Sequence, residues 1–122
     1  MGKKDDLTLL MEALKKREEI LQKGQSVSKY NHYFDRMMQY AKQLIEANRQ
    51  DEIAPLLESD SISIRFDVAG LLFRYYPDKC TRIFEEISQM SVQTGLPKYL
   101  GNVRLDSKLI LERLATDEGF LR

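Results

Sequence analysis

The side chains best suited to nucleophilic or metal chemistry occur once each in this chain. It has one histidine, His32, and one cysteine, Cys80. A zinc site needs several such ligands at short spacing, and a cysteine nucleophile needs a base beside it. No His-x-x-x-His, Cys-x-x-Cys or Glu-x-x-His spacing occurs in the sequence. We therefore predict no metal site and no catalytic thiol, with His32 at the surface and Cys80 buried in an apolar stripe.

The carboxylates and glycines do not favour catalysis either. The acidic pairs at 18–19, 85–86 and 117–118 are adjacent in sequence. Neighbours on a helix point about 100° apart, so such pairs do not converge for acid–base chemistry. The six glycines are scattered and form no phosphate-binding loop. We predict that the chain is not an enzyme and holds no cofactor.

A repeated four-residue motif places arginine and aspartate at matching positions. Residues 64–67 read Ile-Arg-Phe-Asp, and residues 103–106, which lie 39 positions later, read Val-Arg-Leu-Asp. A period near 40 residues is typical of stacked helical hairpins of the HEAT or armadillo type. Two interpretations remain open. Asp67 and Arg104 pair between repeats and fix their stacking, or Arg65 and Arg104 line a groove and bind an acidic partner.

Aromatic and charged side chains alternate on the second predicted helix. Its apolar residues recur at helical spacing, so we expect Phe34 and at least one tyrosine to lie in the core. Tyr40 lies off that stripe and is the best candidate for an exposed anchor. Asn31, Asp35 and Arg36 either bind a partner or tie this helix to the fourth by hydrogen bonds.

Helices must position all these residues, because apolar side chains recur every 3.6 residues and no long segment alternates as a strand would. We predict an all-α fold, a short HEAT/armadillo-like stack of about six helices in three antiparallel hairpins, forming a single domain over residues 1–122. The second, fourth and sixth helices would line one groove, and the fourth, apolar nearly all round, would be central.

The predicted helix boundaries follow from capping residues, glycines and prolines. The first helix ends at Gly24, and the second runs from Ser26 or Ser28 to about Asn48. The third is brief, with Pro55 in its first turn; Pro77 ends the fourth and begins the fifth, and the sixth follows Pro97.

Whole-chain composition restricts the classes of partner. Of 122 residues, 43% are apolar and 31% are charged, and the formal net charge is zero. A nucleic-acid binder normally carries a basic excess, so we expect nucleic acid not to be the partner. The sequence has no apolar run of membrane-spanning length and no N-terminal stretch like a signal peptide. Together with the single cysteine, this predicts a cytoplasmic protein that does not bind a membrane.

One segment carries a family resemblance. Residues 29–37 read Lys-Tyr-Asn-His-Tyr-Phe-Asp-Arg-Met. They resemble the Lys-Tyr-Asn-x-x-Phe-Asp-Arg-Met signature of a small bacterial family of HEAT-like domains of unknown function. The stretches 56–77 and 114–120 resemble the middle and the end of that family. The resemblance implies an all-helical fold, no catalytic activity, no cofactor, and a role of the toxin-immunity type.

The function predicted from these patterns is a non-enzymatic protein-binding module, of the immunity type that neutralises a bacterial toxin by surface contact. One alternative is a nucleic-acid-binding HEAT-like domain. Another is a homo-oligomeric structural protein that pairs through the apolar stripe of its first helix, so we expect a monomer or a weak homodimer. The predicted protein-binding residues are His32, Asp35, Arg36, Tyr40, Arg65 and Arg104, and the stripe is Leu7, Leu10, Leu14 and Leu21. The charged residues at 15–19 lie mostly off that stripe, and we expect them to form a solvated face.

Overall fold

The computed structural model of the chain describes residues 4–117 and 119–121. Over these residues it contains six α-helices, short 3-10 turns and no strand, which confirms the predicted all-α class. The chain divides into two compact units, one up to Pro55 and one from Leu56 onward. Residues 1–3, Arg122 and Glu118, the second member of the predicted acidic pair at 117–118, lie outside the described residues.

The first unit is a hairpin of two long helices followed by one helical turn. Its helices are α1 (Asp6–Lys23), α2 (Val27–Glu46) and α3 (Gln50–Ile53). Gly24 ends α1 as predicted, in a left-handed conformation with φ of 61° that glycine adopts without steric cost. Ser26, rather than Ser28, caps α2, because its side chain accepts a hydrogen bond from the Ser28 backbone N–H at 3.1 Å.

The core of the first unit comes from the facing sides of α1 and α2. Each helix places apolar residues at spacings of three or four, so one side of each cylinder is apolar and is buried. Leu10 and Leu14 belong to the stripe that the homo-oligomer alternative requires, and they are at most 1% exposed. Half of that stripe is therefore buried inside the chain, and only Leu7 and Leu21, which are half-buried, remain for pairing between copies. The buried residues are Leu10, Ala13, Leu14 and Ile20 from α1 and Met37, Ala41 and Leu44 from α2.

The second unit contains three helices, with the middle one packed against both others. They are α4 (Ile62–Leu72), α5 (Pro77–Gln89) and α6 (Gly101–Thr116). Phe84 of α5 lies edge-on to Phe66 at 5.8 Å between ring centroids and is stacked with Phe73 at 6.5 Å. Such aromatic pairs add about 0.5–1.5 kcal/mol beyond the burial of their area. Extensive burial of α4 was expected from its composition, and 6 of its 11 residues are buried.

Two of the predicted helix boundaries, the end of the fourth helix and the extent of the third, were wrong by a few residues. α4 ends at Leu72 and not at Pro77, and the chain continues as a turn through residues 73–75. Tyr76 then has φ of −136° and ψ of 59°, because proline disfavours helical geometry in the residue before it. Pro77 itself begins α5, as predicted. α2 ends at Glu46, two residues before Asn48. The brief third helix is a single turn, and Pro55 lies in the 3-10 turn Ala54–Glu58 that follows it.

None of the helices in the described part of the chain combines the length and the apolar character that crossing a membrane would take.

Candidate functional site

A groove runs along one side of the α1–α2 hairpin within the first unit. One part of it has a volume of about 530 Å³ and reaches from Leu9 on α1 to Tyr40 on α2. The adjoining part, of about 500 Å³, continues to Lys23 and Lys29 near the connection between the helices. The two parts share lining residues, so we treat them together as the α1–α2 groove. The shared residues are Lys16, Glu19, His32 and Tyr33.

Three of the predicted binding residues meet in this groove. His32, Arg36 and Tyr40 are four residues apart on α2, and residues at that spacing lie on one face of a helix. His32 and Arg36 are exposed, as expected for His32, whereas Tyr40 is half-buried in the wall of the groove. Asp35 is exposed on α2 but does not line the groove.

The opposite wall comes from α1 and was missed by the sequence analysis, which assigned the charged residues at 15–19 to a solvated face. Glu12, Lys15, Lys16 and Glu19 of α1 line the groove. Their spacing of three, four and seven residues, directly beside the apolar stripe, was the available signal. A sequence pattern shows which residues share a face but does not show that another helix borders that face.

Basic side chains predominate in the groove. Five cationic residues line it, against two carboxylates, an excess of three positive charges in a chain whose formal net charge is zero. The cationic residues are Lys15, Lys16, Lys23, Lys29 and Arg36, and the carboxylates are Glu12 and Glu19.

Both carboxylates already have partners on the protein. The Glu12 carboxylate accepts a hydrogen bond from Lys4 Nζ at 2.8 Å. Lys23 Nζ donates to Glu19 at 3.0 Å and Lys16 Nζ lies 3.6 Å from the same carboxylate. The hydrogen bond from Lys23, followed by the charge of Lys16, holds the pKa of Glu19 below its usual range.

Three cations of the groove remain unpaired. Within the part of the chain that the structure describes, Lys15, Lys29 and Arg36 have no carboxylate partner. Beside them the His32 ring lies edge-on to the Tyr33 ring, with centroids 5.1 Å apart. The groove thus presents free positive charge next to aromatic surface, and both are available to a ligand.

The two remaining predicted residues lie in the second unit. Arg65 donates a hydrogen bond to the Ser59 carbonyl at 2.8 Å and so braces the turn before α4. Arg104 is half-buried on α6. The structure therefore gives Arg65 a structural contact, while binding by either arginine and a groove shared by α2, α4 and α6 stay predictions.

The 39-residue repeat is only partly equivalent in three dimensions. Ile64 and Val103, at matching positions, are both buried, and the two arginines that follow are both half-buried. Asp67 is 8% exposed, whereas its counterpart Asp106 is exposed. The aspartates therefore do not share one role, and an ion pair between Asp67 and Arg104 stays a prediction.

A buried arginine occupies the other flank of the hairpin. Arg17, expected at the surface, is 4% exposed. Its guanidinium lies 3.9 Å from the centroid of the Tyr30 ring and 5.1 Å from that of Phe34, and it donates to the Tyr30 hydroxyl at 2.7 Å. Contact of a guanidinium with an aromatic face is favourable, more so when both are desolvated. Arg17 therefore contributes to the packing of α1 on α2.

Phe34 corrects a second expectation. It was predicted to lie in the core but is 42% exposed. With Val27 and Met38 it forms an apolar stripe, separated along α2 by seven and four residues and on the side of the helix away from Arg36. We call these three residues the α2 stripe.

The remaining reactive side chains have the environments of structural groups. Cys80 is fully buried on α5, as predicted, and burial raises the pKa of its thiol to about 11. A thiol with a raised pKa holds little reactive thiolate at neutral pH. Among the described residues, no three His, Cys, Asp or Glu side chains cluster in a way that could hold a metal ion.

Comparison with known proteins gives no relative from which to transfer a function. No protein-family model, no curated protein and no solved structure matches the chain. The resemblance of residues 29–37 to the HEAT-like bacterial family stays a prediction, and the α1–α2 groove must be interpreted from its own chemistry.

Proposed function

We propose that this chain is a non-enzymatic protein-binding module of the bacterial cytoplasm, which neutralises a toxin by surface contact in the manner of an immunity protein. The observation that carries the proposal is the α1–α2 groove, where an unpaired arginine, Arg36, lies beside the rings of Tyr33 and Tyr40. Arginine and tyrosine are enriched among the residues that dominate protein–protein binding energy.

The character of the groove favours binding over catalysis. A general acid or base needs a titratable group positioned against a reacting atom, usually in a site that excludes water. Here Glu12 and Glu19 are held by lysines, and His32 is exposed and packs against a tyrosine ring. These contacts provide a fixed and charged surface for recognition, without a paired acid and base.

The specific role as a toxin-neutralising protein rests on the resemblance of residues 29–37 to the HEAT-like family. Two residues of the signature, Lys29 and Arg36, line the groove, together with His32 and Tyr33 at its two unspecified positions. The residues that carry the resemblance and the residues that form the candidate surface therefore overlap.

The test is capture of a partner from lysate of the native host by the tagged chain, compared among three proteins. They are the wild type, Arg36→Glu in the groove, and Lys42→Glu as a control. Lys42 is an exposed lysine of the same helix that does not line the groove, and it lies 4.0 Å from Glu46. We expect one stoichiometric protein that the wild type and the control retain at high salt and that Arg36→Glu loses.

The neutralising role has its own measurement. The captured protein is expressed in a bacterium alone and together with the chain. We expect growth arrest by the partner alone and recovery with the wild-type chain, but not with Arg36→Glu. Equal capture by all three proteins would reject the groove, and recovery of nucleic acid alone, lost as salt rises, would reject protein binding.

A further inference from the structure

We infer that the α1–α2 groove binds an extended acidic segment of the partner protein, with carboxylates at two positions about 10 Å apart. This inference rests on the proposed function and specifies the chemistry of the partner. It follows from the charge, the length and the composition of the groove.

Charge is the first argument. The groove lining carries an excess of three positive charges, although the chain as a whole is neutral. The unpaired groups are Lys15, Lys29 and Arg36, since Glu12 and Glu19 engage other lysines. Charge complementarity steers association and suppresses wrong partners, so a surface of this kind selects an acidic one.

The spacing of the free cations sets the spacing of the carboxylates. Arg36 and Lys29 are seven residues apart on α2, which is about 10 Å along the axis at 1.5 Å per residue. Lys15 lies across the groove in the same part as Arg36. In an extended segment of the polyproline II type, which advances about 3.1 Å per residue with three residues per turn, carboxylates three residues apart lie on one face and span about 9 Å.

The length of the groove sets the size of the segment. On α1 it extends from Leu9 to Lys23, a rise of about 21 Å. An extended chain of about six or seven residues covers this length. Between the two cationic positions lies the ring of Tyr33, which offers an apolar surface to a side chain between the two carboxylates.

These features favour a peptide over a nucleic acid. Tight binding to a duplex usually neutralises about 6–10 phosphates. Three cations of the groove have no carboxylate partner among the residues that the structure describes, and Glu12 and Glu19 line its α1 wall. A continuous row of phosphates would pass close to both carboxylates, whereas a peptide with two spaced carboxylates need not.

The experiment is a titration of the full ¹⁵N-labelled chain followed by amide chemical shifts. The probe is an acetylated and amidated peptide of about seven residues, with two glutamates three residues apart and a leucine between them. The matched control peptide has glutamine in place of both glutamates, and a thymidine oligonucleotide of similar length serves as the nucleic-acid probe. We expect the glutamate peptide to cause saturable shifts at residues of the α1–α2 groove, and the glutamine peptide to bind at least about tenfold more weakly.

Variants test the same point from the side of the protein. Arg36→Glu should weaken binding of the glutamate peptide by about tenfold or more, and Lys29→Glu should weaken it in the same direction. Lys42→Glu, the same charge change on the same helix, should leave it within about twofold. The spectra themselves report whether each variant is folded.

Several results would overturn the inference. These are shifts outside the groove, no saturable shift, equal binding of the two peptides, or stronger binding of the oligonucleotide at the same residues. If the acidic peptide fails while the lysate partner still depends on Arg36, the acidic segment is rejected and the proposed function stands. If the peptide binds as expected but no protein is captured, the charge recognition stands and the proposed function is rejected.

Discussion

At the scale of single residues, Arg17 shows how a charged side chain becomes part of a core. It lies in a run of five charged residues, which predicts exposure, yet it is 4% exposed. Its guanidinium stacks on the Tyr30 ring and bonds to the Tyr30 hydroxyl. Sequence alone cannot separate this residue from Lys16, because the difference depends on a ring supplied by another helix.

Arg17→Lys should therefore destabilise the protein although charge is conserved. Lysine lacks the planar fork that stacks on a ring and bonds to the hydroxyl at once. We expect a loss of about 1–3 kcal/mol in the free energy of unfolding, measured by urea denaturation. Lys15→Arg, at an exposed position on the same helix, should change it by less than about 0.5 kcal/mol. Equal stabilities of Arg17→Lys and wild type would contradict the stacking.

A second residue-scale prediction concerns the stability that the ion pairs of Arg49 provide and its loss at acidic pH. Arg49 donates to the carboxylates of both Asp5 and Glu52, and these hydrogen bonds hold the pKa of each carboxyl below its usual value. A lowered pKa in the folded state gives a contribution that is present above the unfolded pKa, near 4, and is lost as pH falls through the folded pKa.

Thermal melts of wild type and Arg49→Met between pH 7 and 2 measure this contribution. The wild type should melt at the higher temperature at pH 7, and the difference should shrink as pH falls below about 4. Lys42→Met, whose ammonium lies at the longer distance of 4.0 Å from Glu46, is the control. A difference between wild type and Arg49→Met that stays constant down to pH 2 would show that these pairs do not contribute.

At the scale of elements, helix starts are decided by single hydrogen bonds. Ser26 and Ser28 are equally good caps by composition, and the structure selects Ser26. Ser26→Ala should cost about 0.5–2 kcal/mol of stability because a backbone N–H at the start of α2 loses its acceptor. Ser28→Ala, inside the first turn, should be neutral or slightly stabilising, since alanine favours the helix. We expect a lower urea midpoint for Ser26→Ala than for Ser28→Ala, and the reverse order would contradict Ser26 as the N-cap.

Two glycines of the second unit have opposite conformational roles. Gly95 follows a 3-10 turn with φ of 104°, a conformation that side chains with a β-carbon rarely adopt. Gly70 lies inside α4, and an added methyl group there would meet no atom within 4 Å. Gly95→Ala should therefore cost about 1–3 kcal/mol, and Gly70→Ala should add about 0.5–1 kcal/mol. Calorimetric melting temperatures that shift in the same direction for both would refute this distinction.

The sequence predicts elements better than it predicts their surroundings. Gly24 ends α1 and Pro77 begins α5 through backbone restrictions that act locally, and both of these boundaries were predicted correctly. The exposure of Phe34 and the α1 wall of the groove were not predicted, because an amphipathic pattern identifies an apolar side without showing how far a neighbouring helix covers it.

At the scale of the whole molecule, zero net charge conceals an uneven distribution. The groove lining has an excess of three positive charges, so the rest of the sequence carries the balancing negative charge. Arguments from net charge alone favour a partner without strong charge preference, whereas the local field favours an acidic one. The candidate site could be predicted in part, through His32, Arg36 and Tyr40, but its charge became apparent only when both helices were considered together.

The two adjacent methionines of α2 differ in exposure, so their oxidation reports on the state of the folded chain. Met37 is 2% exposed and Met38, in the α2 stripe, is 45% exposed. Mild peroxide should convert Met38 to the sulfoxide and spare Met37, and mass spectrometry of a single peptide reads both. A partner in the α1–α2 groove should leave this footprint unchanged, one that covers the α2 stripe should protect Met38, and unfolding should expose Met37. Oxidation of Met38 thus reports whether a partner covers the α2 stripe, and oxidation of Met37 reports unfolding.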